Sequence, residues 1–141
     1  MNLVEEHNRK YAFFREITGI SMLIHREYKP GLLEMAYEAA LKHLLKQKNY
    51  QVEHQVFVPI YWKNTKLDDH YRIDLLVNNN IIIELKATKQ IINEHRRQLH
   101  NYMRLTHKQY GMLINFGMKS LYSEWYELNI ETNEIEKITL M

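Results

Sequence analysis

YRIDLLVNNNIIIELK, residues 71–86, reads as two apolar strands joined by three asparagines. Asparagine tolerates the left-handed backbone of tight turns, so Asn78, Asn79 and Asn80 suit a hairpin loop. If that loop closes with Val77 facing Ile81, Leu75 faces Ile83 and Ile73 faces Leu85, giving one wholly apolar sheet face. On the other face Leu76 meets Ile82, Asp74 meets Glu84 and Arg72 meets Lys86. A one-residue slip mixes the two sets, and a sheet with a buried face resists it. Directly opposed carboxylates repel. Their placement makes chemical sense if a cation sits between them.

The flanking chain supplies layers for this hairpin. Tyr11, Phe14, Ile17, Ile20, Ser21 and Ile24 recur at three- and four-residue spacings and predict a helix over 6–28. Pro30-Gly31 ends it. Leu33, Ala36, Tyr37, Ala40, Leu41, Leu44 and Leu45 predict a second helix over 32–48. QVEHQVFVPIYW (51–62) reads as a strand whose Pro59 calls for an edge position or a bulge. Residues 63–65 read as a turn. A helix over 91–107 and a buried strand in GMLINFG (111–117) follow the hairpin. Two further strands, parted by a turn at 131–133, finish the chain. The expected fold class is mixed α/β, with a central β-sheet flanked by helices and a C-terminal β extension.

The 141 residues suffice for one domain, 1–141, with a real core. Hydrophobic residues make up 45% and charged residues 26%, as in an ordinary globular protein. With no cysteine, disulfides, thiolate zinc sites and a cysteine nucleophile are excluded. No apolar run reaches the roughly 18 residues of a membrane span. MNLVEEHNRK lacks a signal-peptide core, so a cytoplasmic location is expected. The net charge of +2 does not suggest nucleic-acid binding, but its distribution is uneven. Residues 86–108 carry six lysines and arginines against Glu94, and residues 120–141 carry five glutamates against one lysine. A basic segment beside paired acids suits a polyanion; its alternative is a solvated helix face.

Asp74, Glu84 and Lys86 are the sharpest chemical candidates. Two carboxylates and a backbone carbonyl are hard oxygen ligands suited to Mg²⁺. A bound cation polarises a phosphoryl oxygen and acidifies water, and a lysine beside it stabilises developing charge. The alternative is a surface ladder of Asp–Lys and Glu–Arg pairs. His95, Gln98 and Tyr102 fall on one helical face. Gln98 and Tyr102 read equally as partly buried residues bonded to the sheet end, and His95 as a surface or capping histidine. Glu34 is either a first-turn helix acid or an active-site carboxylate. Arg72 is a salt-bridge partner or a phosphate contact. Phe57, Tyr61 and Trp62, with Tyr71 nearby, are expected mainly in the core, their alternative being a stacking surface for bases. Asn115 and Phe116 are candidates to line the cleft.

An Asp at the end of one strand, a hairpin, then Glu-Leu-Lys on the next resembles the PD-(D/E)XK nuclease superfamily. Gly31-Leu32-Leu33-Glu34-Met35-Ala36-Tyr37 is similar to the GxxExxY motif of a family of small bacterial and archaeal proteins placed there. YRIDLLV, IIIELKA, the HxxQLxNY helix and LINFG are each similar to a block of that family, over residues 17–117. The resemblance implies a restriction-endonuclease-like αβββαβ core and a metal-dependent phosphodiesterase site, and the expected function is a Mg²⁺- (or Mn²⁺-) dependent nuclease acting on DNA. It implies Asp74 and Glu84 as metal ligands, Lys86 as catalytic lysine and Glu34 as an additional acid near the metal. Gln98 and Tyr102 match the QxxxY element of RecB-like nucleases, beside the active site and toward DNA. Ile73 stands where the superfamily's name has proline. The competing expectation is a nucleic-acid-binding or protein-interaction module that keeps the fold without turnover. A homodimer building one basic groove is a further possibility.

Overall fold

The computed structural model describes residues 2–140; the first and last residues of the expected 1–141 domain lie outside the described residues. In chain order the elements are α1 (Leu3–Lys10), α2 (Ala12–Tyr28), α3 (Glu34–Gln47), β1 (Val52–Trp62), β2 (Thr65–Val77), β3 (Ile81–Lys86), α4 (Asn93–Thr106), β4 (Tyr110–Asn115), β5 (Tyr122–Asn129) and β6 (Glu134–Lys137). The strands form one sheet in the order β1-β2-β3-β4-β5-β6. All neighbours are antiparallel except β3 and β4, which run parallel and are joined through α4. This is the expected mixed sheet with helices on both faces and a β extension at the C-terminal end.

The apolar stripes behave as their spacing requires. Phe14, Ile17, Ile20 and Ile24 of α2 and Tyr37, Leu41 and Leu45 of α3 pack on Leu75, Val77, Ile81, Ile83 and Leu85. Each large side chain buried there contributes about 1.5–3 kcal/mol. Leu33 was expected in this layer and is exposed, because α3 begins only at Glu34. The first helix breaks in two at Tyr11, whose hydroxyl donates to Glu127 Oε1 at 2.5 Å. On the opposite sheet face Leu99, Tyr102 and Met103 of α4 pack on Ile73, Leu76, Ile82 and Leu113. β3 is covered on both faces, which explains its unbroken run of isoleucines.

The central hairpin pairs Val77 with Ile81, Leu76 with Ile82 and Leu75 with Ile83, as expected. There the ladder stops. Ile73 does not share a face with Leu75 and Leu85; it packs on the α4 side. The inside-outside alternation of β2 reverses at Asp74. β1 reverses with it: Gln55, flanked by the pairs His54–Leu75 and Val56–Ile73, takes a φ of 52°. Arg72 therefore lies on the α3 face beside Phe57, and Lys86 on the α4 face with Ile82. The expected Arg72–Lys86 pair is not formed. Pro59 satisfies both of its expectations, since β1 is an edge strand and its register shifts between Pro59 and Tyr61.

α4 is fixed to the sheet by an ion pair between a half-buried Arg96 and a buried Glu124. Arg96 Nε and Nη2 donate to the Glu124 carboxylate at 2.8 and 2.7 Å, and the hydroxyls of Tyr122 and Tyr126 donate to it as well. Burial raises the Glu124 carboxyl, but these donors outweigh burial and hold it at about 2. Below its ordinary value of 4.5 the unfolded chain binds the proton more readily than the folded one. The stabilisation is therefore complete above pH 4.5 and is lost as pH falls towards 2. Glu124→Gln is expected to cost about 3 kcal/mol at neutral pH. In urea melts it should also flatten the acid limb of the stability profile, whereas an acid limb as steep as wild type would contradict this role.

Candidate active site

Where β2 and β3 part, the carboxylates take over the backbone hydrogen bonds that the ladder abandons. The Leu85 N–H donates to Asp74 Oδ2 at 2.9 Å, and the Asp74 N–H donates to Glu84 Oε1 at 3.2 Å. Among the described residues no backbone N–H donates to Asp74 Oδ1 or Glu84 Oε2. Glu84 follows Ile82 on the α4 face and is only 3% exposed. Asp74 occupies the gap itself. The predicted pair is thus brought together, through a split in the sheet rather than as ladder partners.

Residues from both faces reach this gap. From the α4 side, Lys86 Nζ donates to Gln98 Oε1 at 3.2 Å, and Gln98 Nε2 donates to the Tyr102 hydroxyl at 3.2 Å. Tyr102 is 4% exposed, its ring 5.8 Å from that of Tyr71. Tyr102 lines the same cavity as Gln98, and its hydroxyl accepts from Gln98 there. Gln98 holds the lysine. From the α3 side come Glu34 and, one turn later, Glu38, which accepts from Gln55 Nε2 at 2.7 Å. Glu38 escaped the sequence reading, although its four-residue spacing from Glu34 places both on one helical face. These groups, with His70 and Arg72 from the arm of β2, line a cavity of about 470 Å³.

The GxxExxY segment has a mechanical reading. Gly31 takes a φ of 118°, which disfavours any residue with a Cβ. The Tyr37 hydroxyl donates to the Lys29 carbonyl and accepts from the Leu32 N–H, closing the loop before α3. The Tyr37 ring stacks on Phe116 at 4.6 Å. Loop and ring together set the first turn of α3, from which Glu34 projects to the cavity. Asn115 and Phe116 do not line the cleft. Both are fully buried, and Asn115 clamps the loop after β3 through the N–H and C=O of Thr88. His95 caps α4 by accepting from the Ile92 N–H. The basic segment is partly spent on the fold: Arg96 binds Glu124, Arg104 the Asn133 carbonyl and Lys108 Asn79.

The site concentrates negative charge. Burial, reinforced by repulsion from Asp74, pushes the Glu84 carboxyl well above the usual carboxylate range. Burial likewise raises Asp74, against the pull of the Leu85 N–H, Glu84, Lys86 and Arg72. Glu34 and Glu38 are raised by partial burial, with repulsion from Asp74 adding to each. Among the described residues no ion pair neutralises Asp74 or Glu84. No group of three or more histidines or acids stands ready to hold a metal among them either. A buried Glu84 beside a half-buried Asp74, each with one oxygen lacking a backbone donor, nevertheless fits a hard cation that keeps several waters, as Mg²⁺ does.

A split strand pair presenting Asp74 on one strand and Glu84-Leu85-Lys86 on the next, between two helical layers, defines a class of nuclease fold. The chain belongs to the PD-(D/E)XK nuclease superfamily, whose family model matches residues 11–128. Among solved structures, the crystal structure of SSO0001 is similar, with a TM-score of 0.55 at 20% identity. The match covers 90% of this chain and 65% of that one, so this chain spans just under two thirds of it, and the likeness is one of fold. No curated protein shows significant sequence similarity to the chain. No helix among the described residues is long and apolar enough to cross a membrane.

An acid buried beside a like-charged neighbour without a counter-ion destabilises the fold that holds it. Glu84→Gln keeps the acceptor for the Asp74 N–H and removes the carboxyl whose ionisation burial and Asp74 oppose. In EDTA at neutral pH this variant is expected to melt roughly 3–8 °C above wild type. Calorimetry showing a lower melting temperature would contradict the electrostatic description.

Proposed function

We propose that this protein is a metal-dependent nuclease that hydrolyses phosphodiester bonds in DNA, within the GxxExxY branch of its superfamily. One observation carries the reading: a buried Glu84 and a half-buried Asp74, neutralised by no ion pair among the described residues, lie beside a lysine that is tied to Gln98 rather than to the acids. A lysine free to pair would quench the carboxylates. Tethered at Gln98 it remains available to an anionic substrate.

Asp74 and Glu84 would hold the ion, Mg²⁺ or Mn²⁺, with Glu34 at the α3 edge as an additional acid. When bound, the ion supplies Lewis-acid polarisation of a phosphate oxygen and a more acidic water. The rest falls to the chain. Hydrolysis joins a water oxygen to phosphorus, breaks the bond to the leaving sugar oxygen and delivers a proton to that oxygen. Lys86 offers its ammonium group to the charge that builds on the non-bridging oxygens. Gln98 and Tyr102 hold that ammonium in place. Arg72, on the α3 face at the cavity mouth, suits a phosphate of the incoming backbone.

Purified protein is expected to cleave DNA with Mg²⁺ or Mn²⁺ and not in EDTA. Asp74→Ala, Glu84→Gln and Lys86→Ala should each lower the rate by about 100-fold or more, with circular dichroism unchanged. Cleavage that survives all three substitutions would refute the assignment, and DNA binding without cleavage in wild type would favour a non-catalytic module. Gln98→Ala separates positioning from binding. It should lower kcat by about 10-fold with DNA affinity preserved, whereas a direct DNA contact would lower affinity instead.

A further inference from the structure

Apart from Arg72, the arm of the β1–β2 hairpin has no part in the chemistry above. Residues 61–72 are all exposed, so this ribbon leaves the body of the fold. Two strands without a covering layer call for polar side chains. Instead the arm carries Tyr61, Trp62, Leu67 and Tyr71, with Phe57 at its root, all exposed, contrary to the expectation that the aromatics lie in the core. Phe57 is 62% exposed although it stands close to the fold's body. Its ring lies 4.2 Å from that of His70, tilted by 43°, so the two form a continuous aromatic surface. Arg72 is the direct cross-strand partner of Phe57. Because the alternation reverses at Gln55 and Asp74, Phe57, His70 and Arg72 all occupy the α3 face. His70 and Arg72 line the same cavity as Asp74 and Glu84.

That continuity identifies the occupant. A ligand entering the cavity passes a guanidinium, suited to phosphate, and a pair of rings, suited to a flat apolar face. Nucleic acid offers both. In a closed duplex the base faces are stacked on one another and withheld. An unpaired base presents its face freely, and base–aromatic stacking does not depend on sequence. We propose that the Phe57–His70 ring pair is a stacking platform for an unpaired base, and that the cavity receives single-stranded DNA in preference to closed duplex. This rests on the nuclease reading of the adjacent cavity for its biological sense, but the platform can be tested without turnover. A second copy of the chain could instead pair along the free edge of β1. His70 and Arg72 line the cavity and the Phe57 ring packs on His70, so the aromatic surface is continuous with the cavity, which favours the nucleic acid.

The test is fluorescence anisotropy in EDTA, with a labelled oligothymidylate and a blunt hairpin duplex of similar length as probes. Wild type is expected to bind the single strand at least about tenfold more tightly than the duplex. Phe57→Ala, at an exposed position, should weaken single-strand binding by about 5- to 100-fold, and Phe57→Tyr should restore it. A single abasic substitution scanned along the oligonucleotide should weaken wild type at one position and have no further effect on Phe57→Ala. Equal affinity for strand and duplex would overturn the proposal, as would a Phe57→Ala variant that binds like wild type. So would a dimer in sedimentation that Phe57→Ala dissociates while oligonucleotide binding persists. The expected binding pattern without cleavage in Mg²⁺ would uphold the platform and remove the nuclease reading alone.

Discussion

The arrangement depends on a failure of strand pairing. β2 and β3 are hydrogen-bonded partners up to Leu75 and Ile83 and then separate. Backbone groups deprived of a ladder partner must find another or carry a desolvation cost of about 1–3 kcal/mol each. Here Asp74 and Glu84 answer that demand, each with one carboxylate oxygen. The same bonds hold a half-buried and a buried acid side by side where the gap opens to the cavity. Pairing resumed past Leu75 would leave the groups above and below the sheet isolated from each other. Because the sheet opens, Glu34 and Glu38 from one layer and Lys86 and Gln98 from the other reach one cavity.

Several supports lie away from the gap and explain residues that otherwise look incidental. Tyr37 closes the loop ahead of α3, and the left-handed turn at Gly31 lets that loop form. The Arg96–Glu124 pair seats the start of α4, and Gln98 follows half a turn later. The charge asymmetry along the chain acquires a structural meaning through this pair. The basic helix and the acidic C-terminal strands are neighbours, so part of the positive charge is neutralised within the fold. What remains uncompensated is the acid pair, a strained electrostatic feature that folding alone gives no reason to keep.

Much of this was legible in the residues. The hairpin register followed from matching Leu75, Val77, Ile81 and Ile83 across three asparagines, because a slip mixes polar and apolar faces. The helix stripes were legible for the same reason, their spacing being a property of the backbone. Ile73 was not. Strict alternation puts it with Leu75, and no local signal marks the reversal at Asp74, since both sides of the break are apolar. The Phe57–Trp62 run misled because β-propensity registers aromatic side chains without registering whether a layer covers them. Tyr102 was placed on the right helical face, but how deeply that face sinks depends on Ile73 and Tyr71, which are distant in sequence.

The central claim is that the gap at Asp74 clasps one hard cation. Diffraction from Mn²⁺-soaked crystals, collected where manganese scatters anomalously, tests it most directly. The expected result is a single anomalous peak within about 2.0–2.6 Å of one oxygen from Asp74 and one from Glu84, with Lys86 still bound to Gln98. Two acids joined only by a proton at saturating Mn²⁺, with no peak between them, would contradict it.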